Sequence, residues 1–107
     1  LKLLKGLELG CSGIITATCN VTAQLSRKVY DDFLSNNQQS YNKKLCDVRS
    51  VFDQFNLISG LHTLCSQRDQ IYRNLLPPLR LLSQEEEKKL MEDLKNLNFK
   101  TNSSMAA

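Results

Sequence analysis

A single glycine-entered, β-branched run, Gly13-Ile14-Ile15-Thr16-Ala17-Thr18, stands alone in a chain whose other apolar residues recur at helical spacing. It has the length and branched content of a strand buried on both faces, as in a parallel sheet flanked by helices. A strand without neighbours leaves its backbone groups unpaired, at about 1–3 kcal/mol for each one that is buried. Nothing else in the sequence reads as a second strand. The run therefore predicts that the rest of its sheet lies upstream and that the chain is part of a longer one. The alternative is a complete small helical protein in which residues 13–18 form a loop.

The flanking residues favour the first reading. Position 1 is Leu, and Leu1-Lys2-Leu3-Leu4-Lys5-Gly6-Leu7-Glu8-Leu9 starts inside an apolar pattern that Gly10 is placed to end. Helix tail, glycine turn and strand make the αβ step of an alternating fold. At 107 residues the chain is one domain or part of one, well short of the ~250 of a whole (β/α)8 barrel.

The net charge of +3 is spread over pairs such as Lys43-Lys44 and Lys88-Lys89 with acidic residues between them, so no basic stripe points to nucleic acid. No apolar run approaches the roughly 18–20 residues of a membrane helix, and the first residues lack the arrangement of a signal peptide, although a missing N-terminal part could have carried one. Cys11, Cys19, Cys46 and Cys65 show no metal-ligand spacing. If the segment between Cys11 and Cys19 is extended, the two lie some ~25 Å apart at about 3.3 Å per residue, too far for a disulfide. Cys46 and Cys65 fall on apolar helical patterns as reduced thiols, and a cytoplasmic location is expected.

After the strand, Thr22 is expected to cap a helix with Leu25, Val29, Tyr30, Phe33 and Leu34 on its apolar face, ended by Ser35-Asn36-Asn37. Tyr41, Leu45, Val48, Phe52 and Phe55 form one narrow stripe on the next helix. A break near Asn56 separates it from a third, carrying Leu57, Ile58, Leu61, Leu64 and Cys65. Residues 73–82 contain Pro77-Pro78 and read as an extended crossing. Ser83-Gln84-Glu85-Glu86 is a capping box opening a last helix with Leu90, Leu94 and Leu97 inward. From Lys100 onward the chain reads as a frayed tail.

These residues compose no catalytic centre by themselves. His62 is the sole histidine, and a solvated helix histidine is the expectation. Asp31 and Asp32 point about 100° apart on a helix, so they are no acid/base dyad. Glu85, Glu86 and Glu87 are explained by capping and the helix dipole.

The order of elements resembles a known family. Gly13-Ile14-Ile15-Thr16-Ala17-Thr18-Cys19-Asn20-Val21 is similar to the eighth barrel strand of the dihydrodipicolinate synthase / N-acetylneuraminate lyase family, approximately G-x-I-S-x-T-A-N-V. Leu4-Lys5-Gly6-Leu7-Glu8-Leu9-Gly10 looks like the end of the preceding barrel helix. Val51-Phe52 through Leu61 looks like a helix of the C-terminal extension, and Pro77-Pro78-Leu79 followed by Leu82-Ser83 like the crossing into the last one. The resemblance covers residues 1–98. Three positions differ: Ala17 stands where sialic-acid lyases carry a substrate-binding Ser, Ser59 replaces the usual Pro, and His62 replaces the usual Lys.

The resemblance implies the C-terminal fragment of a (β/α)8 TIM barrel, its last strand plus a helical extension, an α/β fold whose fragment here is mostly α. Residues 1–35 would end the barrel, 36–98 form the extension, and 99–107 a disordered tail. It implies a Schiff-base, class I aldolase-type lyase or synthase acting on pyruvate or a related 2-oxo acid, with a second carbonyl substrate or product. An imine-forming lysine must be neutral to attack a carbonyl, and its iminium then acts as an electron sink. That lysine, the family's proton-relay tyrosine and its hydroxyl loop map upstream of Leu1, so no catalytic residue is expected in this chain. Active sites of such barrels lie at the C-terminal ends of the strands. By resemblance Ile15 offers a backbone carbonyl toward the lysine, Thr16 is a hydroxyl residue beside it, and Ala17 borders the substrate. No metal or cofactor is implied, and the complete protein is expected to be a homo-oligomer without nucleic-acid or membrane partners. The rival reading is a self-contained helical interaction module without catalysis.

Overall fold

The computed structural model describes residues 2–100. Among these there are five α-helices, one 3₁₀ turn and no strand: α1 (Leu3–Glu8), α2 (Cys19–Leu34), α3 (Asn42–Phe52), α4 (Leu57–Ser66), the turn Gln70–Arg73, and α5 (Gln84–Asn96). The described residues divide into two compact units, 2–49 and 50–100.

In the first unit α1 packs on α2, and Leu3, Leu7, Val29 and Leu45 form a buried cluster flanked by Leu4, Leu25, Tyr30 and Phe33. The helix stops are local. After α1, Gly10 takes φ 95°, its N–H donates to the Leu7 carbonyl, and the Cys11 N–H donates to the Gly6 carbonyl. That pair of bonds is a Schellman closure, which requires a left-handed residue just past the helix. Asn36 (φ 55°) closes α2 in the same way, with the Asn36 and Asn37 N–H groups donating to the Phe33 and Asp32 carbonyls.

The strand expected over residues 13–18 is not formed. Residues 11–16 are non-repetitive, Ala17 and Thr18 make a turn, and Ile15 is fully exposed. No neighbouring strand is present among the described residues to take up a ladder, and the segment's polar groups bond locally instead. The Cys19 N–H donates to the Thr16 carbonyl, and the Asn20 side-chain amide donates to the Ala17 carbonyl. Such local bonds are the usual competitor to regular structure at Thr and Asn. They also start α2 three residues before the expected cap. Thr22 lies inside α2 at a kink (φ −119°, ψ 19°), and its hydroxyl donates to the Thr18 carbonyl at 2.9 Å rather than capping anything.

In the second unit α4 packs on both the 3₁₀ turn and α5. Asn56 is the break expected between the helices: its side chain accepts from the Ser59 N–H at 3.1 Å and caps α4. Phe52, Leu61, Leu64, Leu90 and Leu94 are buried, and Leu97 is half-buried. The capping box opens α5 as expected, the Glu86 N–H donating to Ser83 Oγ and the Ser83 N–H to Glu86 Oε1. Asn98 (φ 54°) closes the helix, with the Phe99 N–H donating to the Leu94 carbonyl. From residue 101 onward, the tail expected over 99–107 lies outside the described residues.

All four cysteines are free, Cys11 exposed and Cys65 buried. Burial pushes the Cys65 thiol above its usual range, with Arg68 opposing in part. Its thiol therefore stays protonated at pH values where it would ionise in the unfolded chain. The associated stability is full below the unfolded pKa and is lost as pH rises through the folded one. In timed alkylation of the native chain at mildly alkaline pH, Cys11 is expected to react first and Cys65 last; equal rates would contradict the packing of α4.

Candidate functional site

The three residues expected to border substrate sit on the turn that leads into α2. Ile15 and Ala17 are exposed; Thr16 is half-buried. Thr16 Oγ1 lies 3.1 Å from Thr18 Oγ1 and accepts an N–H from Arg49 Nη1 at 3.4 Å. Thr18 is 5% and Thr22 2% exposed, both hydrogen-bonded, so the turn is anchored under its exposed tip.

These groups edge an open hollow of about 30 Å³ within the first unit. Thr16, Thr18, Thr22, Ser26 and Arg49 supply its polar wall, and Leu3 and Leu45 its apolar side. That space accommodates about one water molecule or one small polar group. Ile14 stands at its rim, 41% exposed.

Arg49 is the residue that sequence reasoning missed. It is 33 positions from Thr16 in sequence. Its signal was nonetheless present: Arg49 falls four residues after Leu45 and three before Phe52, on the same helical stripe as those buried side chains.

Other candidates resolve into structural roles. His62 is half-buried on α4, its Nδ1 2.9 Å from the Tyr72 carbonyl and its ring edge-on to Tyr72 at 6.2 Å, tying α4 to the 3₁₀ turn. Asp31 pairs with Arg27 at 2.9 Å. Glu87 accepts from the Gln67 amide. Every described lysine is exposed except Lys44, which is half-buried. Lys43 is held by Asp47 at 2.7 Å, and that hydrogen bond and charge push its pKa up, away from the neutral amine that imine chemistry needs. Among the described residues no three His, Cys, Asp or Glu side chains group as a metal site, and no helix is long and apolar enough to cross a membrane.

The family described as the dihydrodipicolinate synthetase family matches residues 2–97. No curated protein and no solved structure matches.

Proposed function

The chain belongs to the dihydrodipicolinate synthetase family, and from that premise we propose that it is the C-terminal part of a Schiff-base lyase or synthase acting on pyruvate or a related 2-oxo acid. The observation that carries this reading is the extent of the family match, residues 2–97, which runs through both compact units. In the complete (β/α)8 barrel, residues 13–18 pair as the last strand between neighbours. The exposure of Ile14 and Ile15 in the isolated chain is what such a strand leaves when nothing lies beside it. Ile15, Thr16 and Ala17 then stand at the mouth where barrel active sites form.

The imine-forming lysine belongs to another part of the protein. The lysines described here lie on solvated faces except Lys44, which is half-buried, and a solvated face lacks the desolvation that favours a neutral amine. The second carbonyl substrate, a homo-oligomeric state and a cytoplasmic location complete the proposal.

Borohydride reduction in the presence of pyruvate, followed by peptide mapping, tests it. In the complete protein one lysine outside this chain is expected to carry a stoichiometric adduct, while Lys2, Lys5 and every other lysine of residues 1–107 remain unmodified. An adduct on a lysine of this chain, or none anywhere in an active preparation, would overturn the reading.

A further inference from the structure

Residues 12–16 offer a backbone edge that the chain itself leaves empty. Among the described residues, the N–H groups from Ser12 to Thr16 and the carbonyls from Cys11 to Ile15 take part in no backbone hydrogen bond. The segment is nevertheless held at both ends. The Cys11 N–H donates to the Gly6 carbonyl, and Thr18 and Thr22 are buried and joined by a hydrogen bond at 2.9 Å. Between these anchors Ser12, Gly13, Ile14 and Ile15 are exposed. A Cβ on Gly13 would meet nothing beyond its chain neighbours within 4 Å, so an approaching backbone finds the edge open. A row of free donors and acceptors that carries branched side chains is a template for one more strand, joined through main-chain bonds. Holding its ends lowers the ordering cost of using it.

We propose that this edge pairs with the same edge of a second copy of the chain, antiparallel about a two-fold axis, to form a dimer. Charge decides for that occupant. In a self-paired edge any charge would meet a like charge across the axis, at a cost. No charged residue lies between Glu8 and Arg27. Edges that remain unpaired are ordinarily guarded by lysine, proline or a bulge, and residues 12–16 contain neither lysine nor proline. Pairing residues 12–16 with themselves sets Ile14 opposite Ile14 of the other copy and Ile15 opposite its Gly13, so exposed branched side chains meet on both faces. So short an edge buries well under the roughly 1,200 Å² of a stable interface, which makes the dimer weak and concentration-dependent. Such pairing is independent of the Schiff-base reading, under which neighbouring barrel strands take the same edge in the complete protein.

Sedimentation equilibrium under reducing conditions, which keep the exposed Cys11 from linking copies, reads the association, and amide hydrogen exchange locates it. The average mass is expected to rise from monomer toward dimer between about 10 µM and about 1 mM. Alternate amides from Ser12 to Thr16 should gain protection over the same range, because an antiparallel pair bonds every second residue of an edge. Ile15→Lys, at a fully exposed position that the fold does not depend on, is expected to raise the dimer Kd about tenfold by placing like charges diagonally across the pair. Gly13→Val adds a branched side chain in open space opposite Ile15 and is expected to lower the Kd. A chain that is still monomeric at about 1 mM would overturn the pairing. So would association that Ile15→Lys leaves unchanged, or protection confined to other residues, since either places the contact elsewhere. Protection of every amide across the segment would mean open-ended growth on both edges and would likewise overturn the closed dimer.

Discussion

Phe52→Ala is expected to destabilise the second unit by about 3–5 kcal/mol, the largest single-residue effect in the chain. The ring is fully buried at the C-terminal end of α3, and it lies against Gly60 of α4. A Cβ at position 60 would sit 3.2 Å from Phe52 Cδ1, so the glycine is there to let the ring approach the helix backbone. Removing the ring leaves a void bordered by that backbone, which cannot collapse into it without moving α4, and α4 is the element on which both the 3₁₀ turn and α5 rest. A unit of some fifty residues buries a small fraction of its surface and has little stability in reserve. The loss should therefore appear as partial unfolding in water. Urea titration followed by far-ultraviolet circular dichroism checks it, with Phe52→Leu as the near-isosteric control costing less than about 1.5 kcal/mol. An Ala variant with a wild-type midpoint would mean that Phe52 is not the keystone its burial indicates.

What the sequence made legible was what the chain settles within a few residues. Ser83 and Glu86 form a box by themselves, Asn56 caps with its own side chain, and Gly10 alone suffices for the left-handed closure of α1. The Leu45, Val48 and Phe52 stripe is likewise a property of one helix, and all three are buried. Residues 13–18 are different in kind. Branched residues favour a strand only where partners exist to complete its ladder, so the same Ile14-Ile15-Thr16 run that reads as barrel strand becomes an exposed loop among the described residues. The competing outcome was written in the same residues, since Thr16, Thr18, Asn20 and Thr22 all carry short polar side chains able to bond nearby backbone. Arg49 was legible only in part: its place on the Leu45 and Phe52 stripe is local, whereas its meeting with Thr16 across 33 residues is recorded by no local pattern.

In the complete enzyme, Thr16→Val is expected to lower kcat/KM while leaving imine trapping with the 2-oxo acid intact. The substitution keeps the branched shape and deletes one oxygen. The Arg49 and Thr18 contacts of that oxygen belong to the turn described here; with residues 13–18 paired as a strand, the hydroxyl itself offers one donor and two acceptor lone pairs at the barrel mouth. Losing a hydrogen bond to a charged substrate group should cost about 1–3 kcal/mol of transition-state stabilisation, a factor of roughly 5 to 150. The imine is formed by a lysine elsewhere, so the adduct under borohydride should persist at wild-type stoichiometry. Unchanged kcat/KM would reduce Thr16 to packing.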